Sequence, residues 1–174
     1  MATGIQICGL NGCGKSTLGK ALAEAAGLHF IDIENLYFPH KAADEPYGTP
    51  RSAEEVGRLL VEEVQQHGDF VYAAVRGECS KAIIHHYDYV FLLEVPAEVR
   101  RERVRDRSFR QFGARMLPGG DMHEAEEAFF AMAEARTEDY AESWTRDLSC
   151  PVVRLDGTKP IEENVQFIRS LIGR

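Results

Sequence analysis

The sequence has no long apolar run. The longest, such as Tyr89 to Leu93, are far too short to span a bilayer, so no membrane-embedded segment is expected. The first residues lack the basic start of a secretory leader, and Gly9 to Gly14 interrupt the first apolar stretch, which points to the cytoplasm. Cysteine is sparse: Cys8, Cys13, Cys79 and Cys150 are scattered without paired spacing, as reduced thiols are, and no disulfide framework is expected. Positive charge is in deficit. A net charge of −8 does not draw the chain as a whole to nucleic acid or anionic lipid. Low-complexity tracts and internal repeats are missing, so neither disorder nor a solenoid is indicated. What is left is 174 residues of ordinary globular composition, one domain on length grounds and long enough to bury a core. One local departure stands out: seven of the fifteen arginines fall between Arg100 and Arg115. Composition alone leaves open whether they form an anion site or a solvated helix face.

Strand and helix signals alternate along the chain. Gly4 to Cys8 is a short apolar run that stops at glycine, as a buried strand does. Lys15 to Ala26 has Leu18, Ala21, Leu22 and Ala25 at helical spacing, and Gly27 ends it. Leu28 to Ile33 reads as a second strand, and Asn35 to Pro50 as irregular or broken helix. Ser52 with Glu55 forms a capping box for a helix to about His67. Phe70 to Val75 is a third strand, Ser80 to His86 a short helix, and Tyr89 to Val95 a fourth strand. Pro96 opens an arginine-rich helix, and Met122 to about Trp144 reads as helical. Pro151 to Leu155 is a fifth strand and Ile161 to Ile172 the last helix. The order predicts an α/β fold, a five-stranded parallel sheet with helices on both faces.

Gly9-Leu-Asn-Gly-Cys-Gly14-Lys15-Ser16 fits G-x-x-x-x-G-K-[ST] and lies between a strand and a helix, where its mechanism requires it. Glycines let successive backbone N–H groups turn inward around a phosphate, and the helix N-terminus adds its positive end. Gly9, Asn11, Gly12, Cys13, Gly14 and Thr17 are therefore expected to line a triphosphate through the main chain. The Lys15 ammonium reaches the β- and γ-phosphates and the Ser16 hydroxyl ligates Mg²⁺. ATP and Mg²⁺ are the expected cofactors. Cys13 serves through its backbone, with no role for its thiol.

This loop and its following strand, the strand-proline-helix from Tyr89 to Arg107, and Asp156-Gly-Thr-Lys-Pro160 together resemble the P-loop kinases of the nucleoside monophosphate kinase, adenylate kinase-like and shikimate kinase-like group. The resemblance implies a single P-loop NTPase domain. It further implies a phosphate-acceptor segment after the second strand, about residues 35–67, and a closing lid after the fourth, about residues 108–136. It implies ATP-dependent phosphoryl transfer to a small-molecule acceptor, nucleotide or hydroxylated metabolite, by a monomer or weak dimer.

Residue by residue, the implied roles are these. Phe30-Ile-Asp32-Ile-Glu34 ends the second strand with two carboxylates in i, i+2 relation, which point the same way if the strand continues. Two acids at an exposed strand end are the plainer reading. The shikimate kinase pattern assigns Asp32 to the metal through water and Glu34 to the acceptor hydroxyl. Phe70-Val-Tyr-Ala-Ala-Val75 lacks the late aspartate of many relatives, which shifts weight onto Asp32. Arg76 stands where relatives place an arginine on the acceptor phosphate, with Glu78 a weaker candidate, while Arg51 and Arg58 read as surface charges. Leu36-Tyr-Phe38 occupies the place of an expected arginine, which argues against an AMP-like acceptor.

Arg103-Val-Arg-Asp-Arg107 resembles the two lid-base arginines four apart, the first on the adenine and the second on phosphate. Arg136-Thr-Glu-Asp-Tyr140 resembles the R-x-x-x-Y segment of the returning lid helix, whose arginine contacts the transferring group. Arg110 and Arg115 are further lid candidates, and Arg100, Arg101 and Arg105 read as the solvated outer face. Thr158, Lys159 and Pro160 match the adenine-reading loop. His85, His86 and His123 have no partners at metal spacing. A second reading stays open: a nucleotide-binding ATPase or switch whose acceptor region binds a protein partner.

Overall fold

The computed structural model describes residues 3–39, 49–77, 79 and 81–174. Its five strands are β1 (Gly4–Cys8), β2 (His29–Asp32), β3 (Phe70–Ala73), β4 (Tyr89–Glu94) and β5 (Val152–Asp156). They form one sheet in the order β2-β3-β1-β4-β5, every pair parallel. β1 and β3 are buried along their whole length, which explains their unbroken apolar character. β1 sits at the centre, and the chain leaves it toward β2 and β3 on one side before crossing to β4 and β5 on the other. Such a reversal opens a crevice at the carboxyl ends of the strands, and the phosphate loop leaves β1 there.

Helix α1 (Lys15–Ala26) buries Leu18, Gly19, Leu22 and Ala23 along one stripe. It ends at Gly27, whose left-handed φ of 68° only glycine adopts without strain. The short α2 (Ile33–Tyr37) follows β2 directly. α3 (Ala53–His67) is capped by Ser52, which accepts the Glu55 N–H at 3.2 Å, an interaction that stabilises a helix by about 1 kcal/mol. It buries Val56, Leu60 and Val64, one residue per turn. Because parallel crossovers are right-handed and β1-to-β2 runs opposite to β2-to-β3, α1 and α3 lie on opposite faces. The last helix, α6 (Ile161–Ile172), packs beside α1.

The main core gathers both sides of the sheet, with Ile5, Ile7, Leu22, Tyr72, Phe91 and Ile168 among its fully enclosed side chains. A second, smaller core lies elsewhere. α4 (Ala97–Phe112) and α5 (His123–Glu134) form a helical hairpin around Val104, Phe112, Met116, Met122 and Phe130. Arg105 seals it, its guanidinium 4.4 Å from the centre of the Phe130 ring and 3.4 Å from Glu127. Among the described residues, no helix is long and apolar enough to cross a membrane.

Two local expectations are corrected. β2 does not continue through Glu34: the Asp32 carboxylate accepts the Glu34 N–H at 3.0 Å, caps α2 and turns the chain into a helix. The helix expected from Met122 to Trp144 stops at Glu134. Thr137 is extended (φ −66°, ψ 158°) and its hydroxyl bonds Asp139 at 2.6 Å, the local competition by which such side chains break helices; two 3-10 turns follow. Ser108, near which the lid is expected to begin, lies within α4, which runs unbroken to Phe112. Residues 40–48 of the expected acceptor segment, and Glu78, lie outside the described residues.

Candidate active site

The phosphate loop has the backbone its composition anticipates. Gly9, Gly12 and Gly14 have φ of 147°, 84° and 94°, in the region that favours glycine. Close approach adds a second constraint: a Cβ at Gly9 would lie 2.5 Å from the Leu93 carbonyl oxygen, and one at Gly12 2.5 Å from that of Arg100. Gly14 faces open space and caps α1, so the first N–H groups of that helix point out of the loop. Lys15 folds back over the loop and donates to the Leu10 carbonyl at 3.1 Å. Desolvation holds its ammonium below the usual lysine range. Burial pushes the neighbouring Cys8 thiol up to about 12 and raises that of Cys13, so both are neutral thiols near pH 7.

A cavity of about 410 Å³ opens beside the loop. It is lined by Lys15, Ser16 and Thr17 of the loop, by Asp32 and Glu34, and by Arg103, Arg107 and Arg110 of α4. The three arginines are at i, i+4 and i+7 of α4, so one helix face carries them all. Although β2 ends early, the turn into α2 still brings both carboxylates to this cavity. Ser16 and Asp32 present one hydroxyl and one carboxylate beside open space, a hard oxygen set that suits Mg²⁺, an ion that retains several waters.

Arg103 donates to the Gly157 carbonyl at 3.1 Å and approaches that of Gly12 at 3.5 Å, tying the phosphate loop to the β5–α6 turn. That turn is built by Asp156, whose carboxylate accepts the Thr158 N–H at 2.8 Å and the Thr158 hydroxyl at 2.6 Å. These bonds hold the Asp156 carboxyl below the usual carboxylate range. Asn164 fixes the turn from behind, donating to the Asp156 carbonyl at 2.9 Å. A cleft of about 190 Å³ between Cys13, Leu18, Arg103 and Gly157 runs along it, with Lys159 at the rim. The Thr158, Lys159 and Pro160 side chains are exposed.

Arg136 lies in the break after α5 and not on a helix. Its guanidinium donates to the Asn11 side chain of the phosphate loop and lies 5.1 Å from the centre of the Tyr140 ring. Arg76 covers the same ring at 4.8 Å. Tyr140 thus carries two guanidiniums, one arriving from β3 and one from the end of the α4–α5 hairpin.

A profile of the AAA domain family matches residues 5–127. The chain belongs to the AAA domain family. A Bacillus subtilis (strain 168) relative, described as "Uncharacterized protein YqaC", is 28% identical over 176 residues, covering 97% of this chain and 96% of its own. Shikimate kinase from Bacteroides thetaiotaomicron shares the fold at a TM-score of 0.61 and 20% identity, over 99% of both chains. A gluconokinase from Sinorhizobium meliloti 1021 does so at 0.58 and 18%, over 94% of this chain and 87% of that one.

Within this AAA domain, several arginines differ from their expected places. Arg100 is not on a solvated face: it is buried, donates to the Val95 carbonyl at 2.9 Å and pairs with Glu138. Its four-residue spacing from Val104 and Ser108, both buried, was the available signal. Arg105 is exposed, as its place on the solvated face anticipates, and reaches from there to Glu127 and over the Phe130 ring. Arg115 is held within its own turn by Asp121, through bonds of 3.0 Å and 2.6 Å, and does not line the cavity. Arg51 braces the acceptor side by donating to the Leu36 carbonyl at 2.9 Å, and Arg58 pairs with Glu62 on the surface. Arg136 and Tyr140 are legible in the chain as R-x-x-x-Y, whereas Arg76, 60 or more positions away, joins them only in the fold.

Proposed function

We propose that this AAA domain is a kinase that uses ATP and Mg²⁺ to phosphorylate a small hydroxylated molecule in the cytoplasm, as a monomer or weak dimer. The observation that carries the reading is the single cavity in which the phosphate loop, Asp32 and Glu34, and the Arg103–Arg107–Arg110 face meet. Bound ATP supplies the phosphoryl group and Mg²⁺ the charge that neutralises it. Around them, Lys15 neutralises the phosphate chain and Ser16 with Asp32 holds the metal. Glu34 orients the acceptor hydroxyl, and Arg76 binds the acceptor beside it. Arg107 and Arg136 stabilise charge spreading over the transferring group, and Arg103 with the Thr158–Pro160 turn receives the base. The solved neighbours are named for small-molecule kinases, which supports a metabolite acceptor.

A second reading, an ATPase or nucleotide switch that binds a protein through its acceptor side, draws on one observation. β3 and the residues after it, Ala74 and Val75, provide no carboxylate to the cavity. A screen of hydroxylated metabolites and nucleotides for acceptor-dependent ADP release separates the two. The kinase reading expects one compound class to raise the rate by at least about tenfold, with a phosphorylated product. A basal rate that no compound changes favours the switch.

Asp32→Asn tests the metal role cleanly, because asparagine caps a helix as well as aspartate does and α2 is kept. The Mg²⁺ concentration for half-maximal turnover is expected to rise about tenfold or more, the effect of one lost charge-assisted contact. Metal-free nucleotide affinity stays unchanged. Coincident Mg²⁺ titrations for the variant and its parent would leave Asp32 as a helix cap and nothing more.

A further inference from the structure

We propose that His29, Glu63 and His67 form a binding site for one divalent transition-metal ion, Zn²⁺ first among them, on the face of the sheet covered by α3. Glu63 and His67 stand at i, i+4 on the last turns of α3, so both side chains leave the same helix face. His29 opens β2 and comes from a different element. Its position is set by the backbone: its N–H donates to the Asp69 carbonyl at 3.0 Å, and His29 pairs in register with Phe70. Gly68, with φ of 71°, reverses the chain immediately after His67 and so returns that imidazole over His29. Three ligand side chains are thereby gathered by sheet register and a helix end.

The ligand-atom distances lie around those of a closed site. The His29 Nε2 lies 2.6 Å from the Glu63 Oε2, and the His67 Nε2 lies 3.8 Å from the same oxygen. All three ligand atoms fall within 4.8 Å of one another, and among the described residues this is the one such group of His, Cys, Asp or Glu. Metal bonds of about 2.0–2.1 Å in a tetrahedral site separate ligand atoms by roughly 3.3 Å, so the spacings bracket the requirement. The imidazoles are stacked 3.5 Å apart at 11°, so their lone pairs run side by side. Binding one ion requires the rings to leave this stack, by turns about their side-chain torsions, so that the two lone pairs converge. Each side chain is about a third exposed, 32%, 38% and 34%, which leaves room for that turn and for water as the fourth ligand.

The donor set decides the ion. Two imidazole nitrogens and one carboxylate suit Zn²⁺ and its borderline neighbours, whereas Mg²⁺ takes an all-oxygen shell. The site is distinct from the phosphate loop: Asp32 is three residues further along β2, about 10 Å away at the other end of the strand. An ion here fastens the end of α3 to the edge strand β2 and works as a structural clip, whatever the cavity at the other end phosphorylates.

The test uses the full chain, stripped with chelator and titrated with ZnCl₂ by calorimetry without nucleotide. One ion per chain is expected, with a rise in Tm and an isotherm unmoved by excess Mg²⁺. His29→Ala and His67→Gln, each checked for fold by circular dichroism, should weaken binding by at least about tenfold, the scale on which metal sites respond to losing a partner. Co²⁺ in place of Zn²⁺ should show ligand-field bands without a thiolate charge-transfer band. No stoichiometric binding, unchanged affinity in both variants, or a thiolate band that assigns the ion to the cysteines would each overturn the site. In those cases the trio is a hydrogen-bonded surface cluster.

Discussion

Lys15→Ala is expected to weaken binding of a non-hydrolysable ATP analogue by about tenfold to a hundredfold, the loss of one charged hydrogen bond to phosphate. The structure explains why the side chain matters beyond its charge. Its ammonium is already desolvated and lies over the loop, donating to the Leu10 carbonyl at 3.1 Å. Moving it from that carbonyl onto a phosphate oxygen requires a short swing and strengthens an interaction already in a low-dielectric place. Lys15→Arg should rescue little, because a wide, planar guanidinium does not take the place of a compact ammonium folded over the loop. Isothermal titration on both variants, with circular dichroism to verify the fold, is the measurement. Parental affinity in a folded Lys15→Ala protein would remove the phosphate-loop assignment on which the kinase reading stands.

That loop was readable from the chain because its parts are contiguous. Eight residues contain the turn, the anion-facing backbone, the charge and the helix start, so spacing alone encodes the geometry. The alternation of elements likewise decided the parallel sheet, and the ends of α1, α3 and α6 fell where Gly27, Gly68 and Gly173 stand. Sites assembled across elements were less legible. Asp32 and Glu34 were picked out as a strand-end pair, yet they share a cavity because Asp32 caps a helix. Arg136 was matched to a helical pattern, yet it sits in a break opened by the backbone preference of Thr137. Arg100 was hidden by the company of six other arginines: charge density suggested a solvated face, while position along the helix put one of the seven in the interior. His29 and the Glu63–His67 pair are separated by more than thirty residues, and only the β2–β3 register brings them together.

Arg136→Ala is expected to lower turnover by about a hundredfold or more while leaving ground-state ATP affinity nearly unchanged, the mark of a charged donor used mainly in the transition state. Arg136 is placed for such a role. It stands at the return end of the α4–α5 hairpin, bonded to Asn11 of the phosphate loop and close to the Tyr140 ring that Arg76 also covers. The hairpin has a core of its own around Val104, Phe112 and Phe130, separate from that of the sheet, so it can shift as a body without opening the main interior. Its surface exposes Phe109, Leu117 and Met132, large apolar side chains with little cover. The break at Ala135 to Thr137 provides a joint on its return side. Closure over the nucleotide has a physical purpose, since phosphoryl transfer to a hydroxyl competes with water for the same group. Hydrogen exchange should therefore show amides from about Gly113 to Arg136 slowed by an ATP analogue together with the acceptor, and fast without them. Arg136→Lys should recover part of the rate, because charge is kept while the guanidinium's bond to Asn11 and its stack on Tyr140 are lost. If exchange is equally slow with and without ligand, and Arg136→Ala turns over like its parent, the hairpin is static. Arg136 is then an ordinary surface arginine that braces the phosphate loop.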